Sequence, residues 1–388
     1  MSAVPSAVLP LATCPESFRG WLLLLPPPAF FVAARPPTRY KSSGSPRDHE
    51  GREINVSNPI RVIQYGLGAI GRAAARVVLD RPGLQLVGAI DSDPRLAGMD
   101  LGEVLSLQRK LGITVTDKPV VLFAQTQADA VVHCTTSSFV DAYDQLTEIV
   151  RAGLHCVTSC EEALFPYYRH KLLAGKLDDL CIQKSVAVVG TGVNPGFVMD
   201  TLALLLTMAC QRVDAVRVLR VVNAATRREA LQRKVGANLT KAQFDKLNQQ
   251  HKIGHVGLAE SLVFLADGLG WTLDDINESV APVLAKKTIK TEFLTVSKGA
   301  VAGTHQFARG IRGGKEALTL ELQMYIGAPK PRDVIEIDGA PPLRLVIEGG
   351  VPGDMATPAI LANTLPRLVE CPPGLHTMRT LGLPRMSL

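Results

Sequence analysis

The sequence predicts an α/β protein in which a doubly wound parallel sheet is followed by an α+β domain with an open, mixed or antiparallel sheet. A short apolar run at 59–65 passes through a glycine-rich turn into a helix-forming segment, which is how such a parallel sheet begins. Near-continuous apolar runs then alternate with helix-sized segments up to residue 190, as expected for strands buried on both faces. Beyond residue 200, apolar and polar residues alternate, which indicates a sheet with one open face.

Length and composition indicate a globular protein of two domains. The chain has 388 residues, of which 46% are hydrophobic and 20% charged, so disordered and fibrous classes are excluded. The formal net charge is +6, but residues 1–47 hold five basic side chains and one acidic one. The remainder is therefore close to neutral, and no nucleic-acid partner is expected. The seven cysteines form no CxxC pair and no zinc spacing, so we expect reduced thiols and no metal site.

Residues 1–55 differ in composition from the rest and are interpreted as a leader and linker. Their first 47 residues contain nine of the 26 prolines, and a triple proline at 26–28 interrupts the apolar stretch before it. No membrane-spanning helix is expected there, since proline breaks such a helix. Two explanations stay open, an organelle-targeting presequence or non-native sequence upstream of the true start, with a secretory signal less favoured. We expect a soluble protein of the cytoplasm or an organelle.

A glycine motif joins the first predicted strand to its helix. The motif consists of Gly66, Leu67, Gly68, Ala69, Ile70 and Gly71. Gly66 would permit a tight turn, Gly68 would let the backbone approach a pyrophosphate, and Gly71 would let the helix pack on the strand. The N-terminus of that helix supplies N–H donors for phosphates. With a second strand at 84–90, the pattern predicts a Rossmann domain that binds a dinucleotide, against the alternative of a glycine turn that binds nothing.

The residues after the second strand bear on the choice of cofactor. Asp91 follows Gly71 by twenty residues. In Rossmann domains an acidic residue at this spacing accepts hydrogen bonds from the ribose hydroxyls of the adenosine. It favours NAD over NADP, since a carboxylate would repel a 2′-phosphate. Ser92 and Arg95 lie where a hydroxyl and a guanidinium could meet that phosphate. We therefore expect NAD or NADP, with the preference left open.

The ends of the later strands should also face the cofactor. Strands are predicted at 120–123, 130–135, 155–159 and 186–190. Ligands of parallel sheets bind beyond the carboxyl ends of the strands, so Thr135, Thr136, Ser137 and Asn194 are expected to contact the cofactor. Asn194 begins an Asn-Pro-Gly sequence, which is equally typical of a turn from sheet to helix.

Glu161 and Glu162 are the candidate catalytic residues. They are the carboxylates that directly follow a central strand near the expected nicotinamide position. A carboxylate there could exchange protons with an amine, an imine or an alcohol. Acids are also favoured in the first turn of a helix by its dipole, so a structural role stays open for each residue.

Other polar residues suggest less specific roles. His255 and Glu260 are five residues apart on a predicted helix without a second histidine, so zinc binding is not expected. Arg227 and Arg228 follow a predicted strand and could bind a carboxylate or remain solvated. Asp200 begins a helix and could cap it.

The dinucleotide-binding domain is expected over residues 56–200 and an α+β substrate and dimerisation domain over 201–353. Helices are predicted at 239–251 and 257–269, and strands at 216–222, 287–296, 317–325, 333–337 and 343–348. An open sheet is a natural contact for a homodimer. A helix at 355–368, capped by Asp354, is expected to return residues 354–388 to the first domain.

Several separate segments together resemble one enzyme family. They are Gly66–Gly71, Ser159–Glu162, Gly190–Phe197, Gly254–Ser261 and a tail from Gly353 to Leu375. Over residues 59–385 the chain is similar to 2,4-diaminopentanoate dehydrogenases and to native amine dehydrogenases, which share the dihydrodipicolinate-reductase-like architecture. Dihydrodipicolinate reductase itself is not favoured, because its paired histidines with a nearby lysine and its Ser-Gly-Thr loop do not occur here.

The resemblance implies reversible oxidative deamination of an amine to a ketone and ammonia, with NAD or NADP taking the hydride. The resemblance supports Glu161 as the acid/base group, but the motif does not decide whether Glu161 or Glu162 takes that role. The substrate, 2,4-diaminopentanoate-like or a simpler amine, is expected in a pocket of Thr136, Phe165, Tyr168, Asn194 and His255. Two other functions stay open: a carbonyl or semialdehyde dehydrogenase that works without ammonia, and a non-catalytic NAD(P)-binding sensor.

Overall fold

The structure, a computed structural model, describes residues 29–32 and 58–386, so the interpretation of residues 1–55 lies outside it except at Ala29–Val32. The strands are β1 (Ala29–Val32), β2 (Ile60–Tyr65), β3 (Leu84–Ile90), β4 (Val115–Thr116), β5 (Ala130–His133), β6 (His155–Thr158), β7 (Ala187–Gly190), β8 (Arg212–Asn223), β9 (Asp275–Leu284), β10 (Ile289–Lys290), β11 (Thr295–Val296), β12 (Val301–Arg312), β13 (Lys315–Tyr325), β14 (Arg332–Ala340), β15 (Leu343–Glu348) and β16 (Gly374–His376). The helices are α1 (Ala69–Leu79), α2 (Leu101–Val104), α3 (Pro119–Gln125), α4 (Phe139–Arg151), α5 (Lys171–Lys184), α6 (Thr201–Leu206), α7 (Glu229–Lys234), α8 (Lys241–Gln249), α9 (Leu258–Gly268), α10 (Gly353–Leu368) and α11 (Met378–Leu381), with 3₁₀ turns at Glu161–Leu164, Thr207–Ala209 and Ala224–Thr226.

The first sheet has seven strands in the order β16-β7-β6-β5-β2-β3-β4, and all its pairings are parallel. The strand order reverses between β2 and β5, because the chain runs outward from β2 on one side and later returns on the other. The carboxyl ends of β2, β5, β6 and β7 therefore meet at one edge, beyond which a ligand can bind. The predicted fold class, a Rossmann sheet followed by a mixed sheet, is confirmed.

Helices cover both faces of this sheet. On one face, α1 packs against α10, where Ala74, Val78, Leu361 and Leu365 are fully buried. On the other face, α4 packs against α5. The last elements of the described chain thus lie on the first sheet, with β16 added as its edge strand. Helix α10 begins after Pro352, so Asp354 lies in its first turn and is not the cap that was predicted.

One predicted strand of this part of the chain is wrong. Residues 120–123 belong to α3, which begins at Pro119, and Val120 is 62% exposed. Proline in the first turn suits a helix, since its missing N–H would have no partner there. The edge position is filled instead by β4, which pairs with β3. A short apolar run does not by itself distinguish a buried strand from a surface helix.

The second sheet also has seven strands, in the order β1-β15-β14-β8-β13-β12-β9. It is mixed, because β8 pairs parallel with β13 and β1 parallel with β15, whereas the other pairings are antiparallel. One face carries fully buried side chains such as Leu318, Leu320 and Leu322, which pack with Leu262 and Leu265 of α9. Alternate residues of β12 and β13 point to the opposite face and are half-buried.

The predictions for the second sheet were partly wrong. Strands β9 and β12 were missed, and in β12 the glycines at 303 and 310 weaken the sequence signal for a strand. Gly303 is needed there, since a Cβ would lie 2.3 Å from the Met324 carbonyl oxygen. The strand predicted at 287–296 is instead the small hairpin of β10 and β11. The Thr291 Oγ1 turns the chain by accepting hydrogen bonds from the backbone of Phe293 and Leu294.

The two helices predicted between these strands are confirmed as α8 and α9. Thr240 begins α8 with a capping box, in which its Oγ1 accepts from the Gln243 N–H and the Gln243 side chain accepts from the Thr240 N–H. Asp200 caps α6, as the sequence suggested. Within residues 29–32 and 58–386, no helix combines the length and apolar character needed to cross a bilayer.

Candidate active site

Two adjoining cavities, each of about 290 Å³, open at the carboxyl ends of the first sheet. The main cavity lies between the two sheets. The second cavity lies beyond β2 and β3. Both border Gly68, Cys134 and Thr135, so a single elongated ligand can extend from one into the other.

The glycine turn between β2 and α1 is built as the sequence predicted. Gly66 has a φ of +89°, and a Cβ on Gly71 would lie 1.8 Å from the Gly66 carbonyl oxygen. A Cβ on Gly68, by contrast, would meet nothing within 4 Å, so the backbone there is open to a ligand. Gly68 begins α1, and no side chain caps that helix. Its free N–H groups can bind a pyrophosphate, and the turn therefore fits a dinucleotide.

The other members of the glycine motif have distinct positions. Ala69 and Ile70 line the main cavity. The Leu67 side chain is buried in the core, and its backbone N–H donates to the Asp91 Oδ2 over 2.5 Å. Asp91 and Ser92 line the second cavity. Arg95 lines neither cavity, because its guanidinium forms hydrogen bonds of 2.6–3.1 Å with Asp93 and its side chain is 86% exposed.

Glu161 and Glu162 follow β6 in the same 3₁₀ turn and have different surroundings. Glu161 lines the main cavity, where its side chain is 20% exposed and its Oε1 lies 3.7 Å from the Lys234 Nζ. Glu162 faces the other way. Its Oε2 accepts from the Phe139 N–H at the start of α4 over 2.7 Å and lies 3.1 Å from the His170 Nε2. Glu162 therefore holds the start of α4, and the catalytic role suggested for it by the sequence stays a prediction.

The threonines and serine after β5 line the main cavity, as Thr135, Thr136 and Ser137 were expected to do. A hydrogen-bonded network that the sequence did not reveal holds Thr135. Its Oγ1 donates to the Gln145 Oε1 over 2.6 Å, and the same Gln145 oxygen lies 2.7 Å from the His133 Nε2. Burial lowers the pKa of His133 to about 4, so the ring is neutral near pH 7. A buried histidine inside a strand carries no pattern that marks it in advance.

Two polar side chains in the loop after β7 have no partner within the described structure. Both amide atoms of Asn194 and the Oγ1 of Thr191 are buried and unbonded, and both residues border the main cavity. Buried polar groups are almost always hydrogen-bonded, so these atoms are suited to bind a ligand. The loop itself is held by Thr357 of α10, whose Oγ1 accepts from the Val193 N–H over 3.1 Å.

His255 enters the main cavity from the loop before α9. Its Nε2 donates to the Asn194 carbonyl oxygen over 2.9 Å, which leaves Nδ1 as the unprotonated nitrogen. Burial, and next the charge of Lys234, lower the pKa of His255 to about 4. Gln306 of β12 holds its backbone with two hydrogen bonds, at 2.9 Å and 2.8 Å. The site thus has a neutral acceptor beside Glu161.

The second domain contributes a cationic wall that the sequence only partly indicated. Its members, which line the main cavity, are Arg220, Arg227, Arg228 and Lys234. Arg227 and Arg228 both bind Asp354 in the first turn of α10, at 2.7 Å and 3.0 Å. Because two guanidinium groups share that one carboxylate, the cavity retains excess positive charge.

Phe165 and Tyr168, which the sequence suggested for the substrate pocket, border neither of the two cavities, so their place in that pocket stays a prediction. Phe165 follows the end of the 3₁₀ turn and packs against the core of the first sheet. The Tyr168 ring lies 5.0 Å below the Arg169 guanidinium. Arg169 in turn binds the buried Glu260 over 2.6 Å, so Glu260 serves an ion pair. No group of three potential metal ligands occurs among the described residues.

Comparison with known proteins agrees with this geometry. Residues 197–388 match the 2,4-diaminopentanoate dehydrogenase C-terminal domain, and residues 60–159 match the dihydrodipicolinate reductase N-terminus. The chain is 30% identical to 2,4-diaminopentanoate dehydrogenase of Acetoanaerobium sticklandii, over 84% of this chain and 94% of that protein. It is 25% identical to an amine dehydrogenase of Streptomyces virginiae, over 82% and 94% of the two chains.

A solved structure is similar over the same extent. The amine dehydrogenase from Mycobacterium smegmatis superposes with a TM-score of 0.77 at 28% sequence identity. The match covers 84% of this chain and 97% of that one.

Proposed function

Because this chain belongs to the 2,4-diaminopentanoate dehydrogenase and amine dehydrogenase family, we infer that it is an NAD(P)-dependent amine dehydrogenase. In the oxidative direction a protonated amine, NAD(P)⁺ and water give a ketone, ammonium, NAD(P)H and a proton. The reverse reaction is the reductive amination of a ketone. The observation that carries this function is the Glu161 carboxylate, which lines the same cavity as the glycine turn.

A nicotinamide held at this site would supply the hydride acceptor for the carbon that bears the amine. We propose that Glu161 takes a proton from the substrate ammonium and releases it to solvent, and that the restored carboxylate then stabilises the positive charge of the iminium. The same carboxylate can next activate the water that attacks the iminium carbon. The 3.7 Å separation between Glu161 and Lys234 is longer than a direct hydrogen bond, so the carboxylate is free to bind the substrate nitrogen.

His255 is proposed to orient the nitrogen. Its neutral ring can accept a hydrogen bond at Nδ1 from an ammonium or iminium, since its Nε2 is already bonded to Asn194. A protonated ring would repel the substrate cation, and burial disfavours that form. Asn194, whose own amide atoms are unpartnered, is suited to bind the cofactor carboxamide or the substrate.

We also propose that the substrate amine carries an anionic group, such as a carboxylate. The support is the cationic wall, in which Arg227 and Arg228 share Asp354 while Lys234 faces Glu161. A substrate of this kind would place its nitrogen at Glu161 and its carboxylate at the guanidinium groups. A simple amine would leave the wall without a ligand.

The protein is proposed to act as a homodimer through the open face of the second sheet. That face carries half-buried polar and aromatic side chains, among them His305, Phe307 and Glu321. His305 and Glu321 already pair across β12 and β13 at 2.8 Å. A self-complementary sheet face suits a two-fold contact, and light scattering of the purified protein would test it.

One assay tests the function directly. Oxidation of NADH and NADPH is followed with a panel of ketones and keto acids, with and without ammonia. We expect turnover only when both the carbonyl compound and ammonia are present. Turnover that persists without ammonia would identify a carbonyl dehydrogenase instead. Cofactor binding without turnover on any substrate would favour a non-catalytic sensor.

A further inference from the structure

We propose that His133 is a positioning residue, which fixes the turn that carries Glu161 relative to Thr135 at the two cavities. The inference rests on the proposed function, because it takes Glu161 to be the acid/base group. His133 is fully buried in β5, opposite Thr158 of β6 in the parallel sheet. It borders neither cavity, so it acts on the reaction through other residues.

The position of the Glu161 carboxylate depends on the backbone of its turn. Among the described residues no hydrogen bond reaches this carboxylate, and its ion-pair contact is 3.7 Å long. The Cys160 N–H, before it, donates to the Thr158 Oγ1 over 3.0 Å. The Glu162 N–H, after it, donates to the Ser137 carbonyl oxygen over 3.2 Å. A shift at either contact would therefore move the Glu161 carboxylate.

The Thr158 hydroxyl is itself held by His133. The Thr158 Oγ1 lies 2.8 Å from the His133 Nδ1, and the His133 Nε2 lies 2.7 Å from the Gln145 Oε1. Because that amide oxygen only accepts, Nε2 donates to it, and Nδ1 accepts a hydrogen bond from the Thr158 hydroxyl. Burial lowers the pKa of His133 to about 4, which keeps the ring in the neutral form that this arrangement needs.

The other end of this network lies at the cavities. The Gln145 Oε1 also accepts from the Thr135 Oγ1 over 2.6 Å, and Thr135 borders both cavities. One run of hydrogen bonds thus joins Thr135 to the N–H that precedes Glu161. His133 is its central member, since it bonds Thr158 on one side and Gln145 of α4 on the other. Loss of the bonds to His133 would separate the two halves.

The proposed reaction requires this separation to be fixed. Glu161 must reach the substrate nitrogen while the adjoining carbon faces the cofactor side of the cavity. A misplacement of about 1 Å can lower a rate by about 100-fold. His133 and Thr158 border neither cavity, so a break in the network should lower kcat and leave substrate and cofactor affinity nearly unchanged.

The first test removes the Thr158 hydroxyl. Thr158→Val should lower kcat by about tenfold or more and leave KM and the Kd for NADH within about twofold of wild type. Thr158→Ser, which keeps the hydroxyl, should have a kcat within about threefold of wild type. Thr147→Val on α4 is the matched control, because the Thr147 hydroxyl is buried without a partner in the described structure. Equal losses in Thr158→Val and Thr158→Ser, or an unchanged kcat in Thr158→Val, would overturn the inference.

A double-mutant cycle tests whether His133 links the two ends. Gln145→Met removes the acceptor of the His133 Nε2 and should also lower kcat at saturating NADH. Combined with Thr158→Val it should cause less than about a threefold further loss, since the same network is already broken. Losses that multiply, or an unchanged kcat in Gln145→Met, would overturn the role of His133. Should Thr158→Val fail to fold, as judged by circular dichroism, the kcat of Gln145→Met decides.

A third measurement needs no turnover. Histidine-selective ¹⁵N labelling of the full chain, with His133→Gln to assign the signal, shows by NMR which ring nitrogen carries the proton. We expect protonation at Nε2 and an Nδ1 signal that changes in Thr158→Val. Protonation at Nδ1, or an Nδ1 signal unaffected by Thr158→Val, would overturn the network. A wild-type protein without amine dehydrogenase activity would instead end the proposed function and the positioning role with it, while this signal still shows whether the network exists.

Discussion

The Glu161 carboxylate and the Lys234 ammonium face each other in the cavity between the two sheets, with Oε1 and Nζ 3.7 Å apart. Glu161 belongs to the turn after β6, and Lys234 ends α7 of the second domain. The two halves of the reaction site therefore come from different domains. Their charges partly balance, yet the gap leaves both groups able to bind a ligand.

The first prediction concerns the acid/base role of Glu161. Glu161→Gln should lower kcat by at least about 100-fold, because an amide cannot take the proton from the substrate ammonium. The Kd for NADH should stay within about twofold of wild type. Glu162→Gln is the matched control, since the amide oxygen can still accept from the Phe139 N–H. Near-wild-type kcat in Glu161→Gln would reject the role.

The second prediction compares two glycines of the same turn. Gly71→Ala should destabilise the fold by about 3 kcal/mol or more, because its Cβ would overlap the Gly66 carbonyl oxygen. Gly68→Ala should unfold at nearly the wild-type denaturant concentration, since its Cβ meets nothing, but should weaken NADH binding. Equilibrium unfolding and cofactor titration measure the two effects. Unimpaired NADH binding by Gly68→Ala would place the pyrophosphate elsewhere.

The third prediction concerns the cationic wall. Arg228→Gln should raise KM for a keto-acid substrate roughly tenfold, because the variant loses the binding free energy of about one charge-assisted hydrogen bond. It should leave KM unchanged for a neutral ketone of similar length. Arg233→Gln, on the exposed side of α7 where it pairs with Glu229, is the control. An equal effect on both substrates would show that Arg228 supports the fold and not the carboxylate.

The fourth prediction concerns stability and pH. Burial lowers the pKa of His133 to about 4 from an ordinary value of 6.5. Between pH 6.5 and about pH 4, His133 therefore binds a proton in the unfolded chain but not in the folded protein. The stability that neutral His133 contributes is thus complete above pH 6.5 and is lost as the pH falls toward 4, by up to about 1.4 kcal/mol per pH unit.

The variant His133→Gln isolates that contribution. Its free energy of unfolding should decline less steeply than that of wild type between pH 6.5 and 4, whatever its stability at pH 7. Urea denaturation at several pH values gives both slopes. Identical slopes would mean that the ring is protonated, or accessible to protons, in the folded protein.

Local patterns predicted the first domain well because each of its signals lies within a few residues. The glycine turn needs only its own spacing, and buried parallel strands appear as continuous apolar runs. The error at 120–123 arose because such a run also fits the amphipathic helix α3. In the second domain β12 was missed although it forms a hairpin with the adjacent β13, because the glycines at 303 and 310 weaken its sequence signal.

The roles of two neighbouring glutamates could not be separated in advance. Nothing local distinguishes Glu161 from Glu162, because both follow the same strand. The packing of α4 and of His170 assigns Glu162 to a structural bond and leaves Glu161 in the cavity. Lys234 and Asp354 were likewise not recognised as parts of the site, since their importance depends on where the second domain places them.

By itself the sequence determined the nucleotide-binding turn, the alternation of strands and helices, and the set of strand-end residues from which the site is drawn. Those features follow from steric and hydrophobic requirements that act between near neighbours. The tertiary structure alone decided which carboxylate faces the cavity, which guanidinium groups surround it and that Arg95 binds Asp93. Such choices depend on distances between residues far apart in the chain, and charge and hydrogen bonding act through those distances.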